Sequence, residues 1–287
     1  MSSAIKRVGI IAKPKLKTGA DVITQLQDWF RARGIESILE KETGAIVKQQ
    51  GMAKSKVPAH CDLIVVLGGD GTLLSVARLM GTHRIPILAV NFGSLGFLTE
   101  ITLREMFPTL ELVLKGKATI HWRMMIDVDV IRKGKPFADY RALNDVVLTK
   151  AVLARIIDID VRIDDHFVAT YKADGLIVGT PTGSTAYTLS AGGPILYPSI
   201  GAMLVTPIAS HTLTFRSLVV PDSSTIEMSL KATQESVFLT VDGQTGLDLQ
   251  GKDRIRVSKS ASVVQLIECP GQSFFDILRR KLKWGER

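Results

Sequence analysis

The sequence predicts an N-terminal Rossmann-like α/β domain followed by a β-sandwich domain, with a C-terminal helix returning to the first domain. Three observations predict it. Up to Gly116, short apolar runs alternate with stretches of helical spacing, the pattern of a parallel sheet with crossover helices. Beyond Gly116, the segments become short and β-branched, with turn residues between them, as in an all-β sandwich. The hydrophobic share of 46% and the charged share of 22%, over 287 residues, suit a globular chain with room for two ordinary domains. The expected divisions are residues 1–116, 117–270 and 271–287.

Taken in order, Arg7 to Ala12 reads as a buried strand. Asp21 to Arg33 carries Val22, Ile23, Leu26, Trp29 and Phe30 at helical spacing, and Gly34 stops it. Ile35 to Leu39 is a second strand. Asp62 to Leu67 is continuously apolar after its first residue, which predicts a central strand. Leu73 to Met80 is helical, Ile85 to Val90 is a fourth strand, Asn91 to Thr99 is a glycine-containing loop, and Leu103 to Leu114 is a helix. Strand signals then follow at Met125 to Arg132, Asp139 to Thr149, Arg155 to Ile163 and His166 to Tyr171, with turns at Lys133-Gly134 and Asp164-Asp165. They continue through Gly175 to Val178, Thr212 to Val220, Thr225 to Leu230, Ser236 to Val241, Arg254 to Ser258 and Val263 to Ile267. One helical island, Thr185 to Ala191, interrupts them. Ser273 to Lys283 is helical.

The formal net charge of +8 suits a polyanionic partner such as a nucleotide, nucleic acid or an acidic membrane surface. With aromatics at 6% and no run that interleaves them with arginine, single-stranded nucleic acid is not favoured. No apolar run approaches the ~18 residues of a membrane span. The N-terminal apolar stretch is broken by Lys13 and Pro14, too soon for a signal peptide. Cys61 and Cys269 match no metal spacing and read as free thiols of a reducing cytoplasm. The five histidines are scattered, so no resident metal site is expected.

Gly68-Gly69-Asp70-Gly71-Thr72 carries the strongest chemistry. It follows the central strand and opens a helix, where an α/β sheet places its ligand. Glycines admit a phosphate close to the backbone, and the helix-start N–H groups favour an anion. A carboxylate beside polyphosphate is repelled by about 4 kcal/mol at ~4 Å in an intermediate dielectric. Asp70 therefore fits if it accepts a proton from an attacking hydroxyl or shares a Mg2+ with the phosphates, and both readings point to phosphoryl transfer. The plainer reading, Asp70 as a helix N-cap, stays open. The missing GK[ST] excludes an ordinary P-loop.

Other clusters admit two readings each. Thr180 to Tyr187 offers hydroxyls and N–H groups for phosphate or ribose, Thr182 among them, with Tyr187 against a base; it also reads as a Ser/Thr-capped helix. Asn144-Asp145 is a polar pair inside an apolar run, which is costly unless bonded: either a ribose and base contact, or a break between strands. Asp174-Gly175 and Asp242-Gly243-Gln244 read as ligand contacts or as plain hairpin turns. Asn91 and Phe92 open a loop that lines the same cleft as Gly68 to Thr72, or anchors the core.

Together these segments resemble the NAD kinase family over nearly the whole chain. The resemblance is carried by GGDGTLL from Gly68, NFGSLGFLT from Asn91, LNDVV from Leu143, DGLIVGTPTGSTAY from Asp174, LSAGGP from Leu189 and VDGQ from Val241. GGDGT alone is shared with diacylglycerol and sphingosine kinases; the Asn-Asp and TPTGSTAY segments are specific to NAD kinases. The resemblance implies a cleft between an α/β domain and a β-sandwich, and transfer of the ATP γ-phosphate to the 2′-hydroxyl of the adenosine ribose of NAD. It implies that Asp70 activates that hydroxyl beside Gly71, and that Asn144 and Asp145 bind NAD. Asp174 would lie near the nicotinamide end. Thr185, Ala186, Tyr187, Thr188, Leu189 and Ser190 would contact the adenine half, with Gln244 nearby. Arg155, Lys172 and Ala209 fall on further NAD-contacting positions. It also implies a divalent cation such as Mg2+ accompanying ATP, and a homodimer or homotetramer in which Arg155 acts across an interface. Arg216-Ser217, where relatives usually carry proline second, and Gly179, where they carry serine, depart from the pattern. The rival readings are a lipid kinase built on the same glycine loop and a non-catalytic NAD(P) sensor.

Overall fold

The computed structural model describes residues 5–14, 16, 18–93, 95–151, 156–212, 214–231 and 236–285. They form two compact units, one of Met1–Trp122 with Val263–Arg287 and one of Arg123–Ser262.

In the first unit, β1 (Arg7–Ala12), β2 (Glu36–Leu39), β3 (Leu63–Leu67) and β4 (Pro86–Asn91) form a parallel sheet in the order β2-β1-β3-β4. All five residues of β3 are buried, which is why its sequence is apolar without alternation. Helix α1 (Gly19–Arg31) buries Ile23, Leu26 and Phe30, and Gly34 takes the left-handed φ of +70° that ends the turn after it. A short helix α2 (Lys41–Ile46) and a 3-10 turn (Lys54–His60) fill the path to β3; their polar sequences hold no apolar stripe that would announce them. Helix α3 (Asp70–Ala77) leaves the end of β3. The two-residue strand β5 (Ile101–Thr102) pairs with β4. Helix α4 (Leu103–Leu114) starts at a capping box in which Glu105 accepts from Thr102 N at 2.9 Å and Oγ1 at 2.7 Å.

The second unit is antiparallel. Its strands are β6 (Ile120–Arg132), β7 (Lys135–Ala142), β8 (Asp145–Lys150), β9 (Ile157–Ile163), β10 (His166–Ala173) and β11 (Gly175–Gly179). After a 3-10 turn (Gly183–Thr185) and the one-turn helix α5 (Tyr187–Ser190) come β12 (Ala202–Ile208), β13 (Leu218–Pro221), β14 (Ile226–Leu230), β15 (Val237–Val241), β16 (Thr245–Leu249) and β17 (Arg254–Ile267). One sheet runs β13-β12-β11-β8-β15-β16; the other joins β10-β9-β14-β17 with β6 and β7. Val146, Leu148, Val178 and Leu239 of the first sheet pack with Ile159, Val161, Met228 and Val257 of the second in one core, a β-sandwich. Lys133-Gly134 and Asp164-Asp165 have positive φ at both central residues, the backbone that tight two-residue hairpins require.

Strand β17 begins in the second unit, but its last residues pair in parallel with β4, Gln265 opposite Pro86 and Leu266 opposite Ile87. Helix α6 (Phe274–Leu282) follows, capped by Ser273, with Ile277 and Leu278 buried and Lys281 Nζ donating to Leu95 O at 2.6 Å. The units divide after Trp122 and after Ser262.

Two expected strands differ, and β12 is a strand not expected from the sequence. Thr212 to Val220 pairs only at Leu218–Pro221. Its partner β12 carries Pro207, which breaks the sequence pattern; β13 pairs with β12 only over residues 202–205, so Pro207 sits where no ladder bond is needed on that side. Asp139 to Thr149 is two strands, broken at Leu143-Asn144.

Candidate active site

The glycine loop begins where β3 ends. A Cβ at Gly68 would lie 2.9 Å from Thr72 Cβ and 3.2 Å from Lys13 Cβ, so this glycine serves the turn's own packing. Gly69 has no atom within 4 Å of where its Cβ would stand and Gly71 is exposed; these two leave the backbone approachable. Gly69 occupies the N-cap of α3, and Asp70 is the first helical residue. The Asp70 side chain caps nothing in its own helix. Its Oδ2 accepts from Phe97 N at 2.9 Å; its Oδ1 accepts from Leu98 N at 3.2 Å, Thr99 N at 3.0 Å and Thr99 Oγ1 at 2.8 Å. The N-cap reading of Asp70 is therefore replaced by a carboxylate clasped by the loop after β4.

That loop is itself built from inside. Asn91 is buried; its Nδ2 donates to Thr99 Oγ1 at 3.0 Å and its Oδ1 accepts from Gly93 N at 2.6 Å. Phe92 packs against the first unit's core. A Cβ at Gly96 would collide with Asp70 Oδ1 and Thr99 Oγ1, so glycine there admits the carboxylate. Asn91 thus holds Asp70 in place through Thr99.

In the second unit, the break at Leu143-Asn144 is organised by Asp242. Its carboxylate accepts from Leu143 N at 3.1 Å, Asn144 N at 2.8 Å and Asp145 N at 3.2 Å. Asp242 belongs to the turn between β15 and β16, with φ +50°, so it is both a hairpin residue and a buried anchor. No sequence signal ties it to residues nearly a hundred positions away. Asp145 is 4% exposed and has no side-chain donor among the described residues. Burial, and next the Asp242 charge, push its carboxyl up to about 7.

The Thr180 to Tyr187 segment lies against this break. Thr180 N donates to Asn144 O at 2.9 Å and Gly183 N to Thr180 Oγ1 at 3.1 Å; a Cβ at Gly183 would meet Asn144 C at 2.5 Å and Cα at 2.8 Å. Asn144 Oδ1, Thr182 Oγ1 and Thr188 Oγ1 are buried without a hydrogen-bond partner. Buried polar atoms are normally bonded, so orphans gathered around one backbone break mark a place for a polar ligand. Thr185, Ala186 and Leu189 are half-buried, while Tyr187 and Ser190 are exposed. Asp174-Gly175 is no hairpin: Gly175 is in β11, where a Cβ would strike Leu148 O, and Asp174 pairs with Lys150 Nζ at 2.8 Å. Lys172 and Gln244 are exposed. Ala209, at φ +44°, lines a cavity of about 310 Å³ with Ala191, Gly192, Phe215 and Arg216, next to the Thr185 to Ser190 turn. Arg155 lies outside the described residues. Among the described residues, no three metal-ligating side chains gather.

Comparisons with known proteins cover the same segments. Residues 8–118 match the family model of the ATP-NAD kinase N-terminal domain, and residues 143–269 that of the ATP-NAD kinase C-terminal domain. The NAD kinase of Solibacter usitatus is 48% identical over 287 residues, 99% of either chain. That of Geobacter sulfurreducens is 46% identical over 99% of this chain and 100% of its own. The crystal structure of yeast NADH kinase complexed with NADH superposes with a TM-score of 0.91 at 26% identity, covering 99% of this chain and 89% of that one. An NAD kinase from Archaeoglobus fulgidus in complex with ATP shares the fold, with a TM-score of 0.78 at 23% identity over 96% of this chain and 98% of its own. Both halves of the chain match in order, and the likeness runs from end to end: this chain belongs to the NAD kinase family.

Proposed function

We propose that this protein transfers the γ-phosphoryl group of Mg2+-bound ATP to the 2′-hydroxyl of the adenosine ribose of NAD, giving NADP and ADP. The observation that carries the reading is the full-length 48% identity to a named NAD kinase, which takes in the clasped Asp70 loop. The lipid-kinase and sensor readings have no comparable support.

The local geometry within each unit supports the following roles. NAD is held by Asn144, Asp145, Thr182 and Thr188, whose orphaned or unpartnered polar atoms take up its hydroxyl and amide groups. The Thr185 to Ser190 turn, Lys172, Asp174, Ala209 and Gln244 border it. Gly69, Asp70, Gly71 and Thr72 face the triphosphate. The ribose O2′ forms a bond to the γ-phosphorus as the bond to the β,γ-bridging oxygen breaks, and ADP leaves with that electron pair. The O2′ proton passes to Asp70, whose orientation is fixed in advance by residues 97–99. Acceleration then comes from positioning and from neutralising charge. Magnesium enters with the nucleotide, because an ion of this kind is held mainly by phosphate oxygens and water. A homodimer or homotetramer in the cytoplasm, supplying NADP, is the setting that fits this reading; no described helix is long and apolar enough to cross a membrane.

The test is purified protein with NAD, ATP and Mg2+, with NADP read by an NADP-specific dehydrogenase. NADP that requires both ATP and Mg2+ is expected. Folded protein that binds NAD yet yields none, with ATP or polyphosphate, would overturn the kinase reading in favour of a sensor. Replacing NAD by NADH measures the preference between them.

A further inference from the structure

The glycine loop sits at the C-terminal ends of the parallel strands, where this architecture binds its ligand. At the other ends, about 20 Å away along β3 at the usual strand rise, the first unit holds a cavity of about 510 Å³. This volume lies in the range of small-molecule sites. It opens where strands begin: Asp62 precedes β3, and Arg84 precedes β4. Ile5, Val113, Ile120 and Ile267 give it apolar walls.

Three polar side chains line it, each with bonding capacity left over. Gln265 is 9% exposed, lies on the same face of β17 as Ile267, and its amide has no partner among the described residues. As a lining residue it offers the cavity an amide that both donates and accepts. Asp62 Oδ2 accepts from Lys6 N and Arg7 N, both at 2.9 Å, while its Oδ1 has no donor among the described residues. Arg84 has no carboxylate partner among the described residues; its guanidinium lies 5.8 Å from the Trp122 ring centroid.

We propose that this cavity binds a small zwitterion with an apolar body, an α-amino acid with an apolar side chain. Its carboxylate pairs with Arg84 and its ammonium with the open oxygen of Asp62. Its side chain rests among Ile5, Val113, Ile120 and Ile267, and Gln265, which both donates and accepts, supplies the remaining hydrogen bond. One acid and one base lining the same cavity disfavour a ligand with a single charge: Asp62 repels a lone carboxylate and Arg84 a lone amine. The site is separate from the kinase chemistry and stands without it.

The test titrates the full chain with L-phenylalanine, L-leucine and L-tryptophan by calorimetry, and with L-phenylalanine by fluorescence, with Trp122→Phe as the control for the signal. N-acetyl-L-phenylalanine lacks the ammonium and phenethylamine lacks the carboxylate. Saturable binding of at least one amino acid is expected, with each single-charge analogue and Arg84→Met about tenfold weaker or worse. Basal turnover of Arg84→Met should be unchanged. Gln265→Leu should weaken binding with Tm unchanged, an outcome that misfolding does not produce. No saturable binding of any of the three amino acids, or analogues that bind as well as the parent, would overturn the proposal.

Discussion

Asp70 in the first unit and Asp145 in the second both stand beside glycine-bearing turns, and the two are held in opposite ways. Asp70 accepts four hydrogen bonds from residues 97–99 and leans out of its own helix to reach them. Asp145 is buried beside the Asp242 carboxylate with no donor among the described residues, and burial pushes it up to about 7. The first arrangement aims a carboxylate side chain; the second raises a carboxyl's hold on its proton. The difference comes from the backbone. A loop with a glycine at position 96 turns three successive N–H groups onto one carboxylate, whereas the N–H groups of Leu143, Asn144 and Asp145 are taken by Asp242.

The sharpest way to break this comparison is Asp70→Asn. Turnover should fall by roughly 10²- to 10⁴-fold, the usual worth of a general base, with NAD affinity nearly unchanged by calorimetry. A variant of full activity would remove Asp70 from the proton transfer. Next is Asp242→Asn, which leaves an amide where three N–H groups need an anion. It should cost about 2–3 kcal/mol in a urea melt and bring the Asp145 carboxyl down towards its ordinary range. Gly96→Ala places a methyl group on the Asp70 carboxylate. It should cost about 1–3 kcal/mol of stability, and its turnover should drop while a control at the open position Gly81→Asn stays active.

The smallest effect concerns Asp145. In the fold it keeps its proton up to about pH 7, while in the unfolded chain it releases it near pH 4. Between those values the unfolded state holds fewer protons, so this group lowers stability as pH rises through that window, and the loss is complete above it. Asp145→Asn removes the effect: its Tm relative to the parent should be higher at pH 8 than at pH 4, by a few degrees. An equal difference at both pH values would show that Asp145 ionises normally in the fold.

The parts legible in the sequence are those whose signal is local. The unbroken apolar run of β3, the helical spacing of α1 and the positive-φ turn residues each report a local constraint, and each appears where expected. The glycine loop and the Asn-Asp pair were legible as chemistry because glycine and buried polar residues are costly without a reason. What stayed hidden depends on distant partners. The polar α2 owes its place to Glu40, which caps it, and to Thr43, whose hydroxyl binds Ala12 N at 2.8 Å. Strand β12 was obscured by a proline that its pairing happens to tolerate. Asp242 looked like any Asp-Gly turn, because its work is done on residues it meets only in the folded unit.

The passage of β17 from one unit into the other has a consequence for how the protein is made. Synthesis runs from the N-terminus, and domains generally fold as they emerge. Every residue of the second unit, Arg123–Ser262, has been translated before the strand that completes the first unit's sheet exists. Until Gln265 and Leu266 arrive, Pro86 and Ile87 of β4 wait as an unpaired edge, and the loop that clasps Asp70 lacks its Lys281 tether. The oldest part of the nascent chain is therefore finished only once residues 263–282 have been added, and the loop that clasps Asp70 gains its last tether with them.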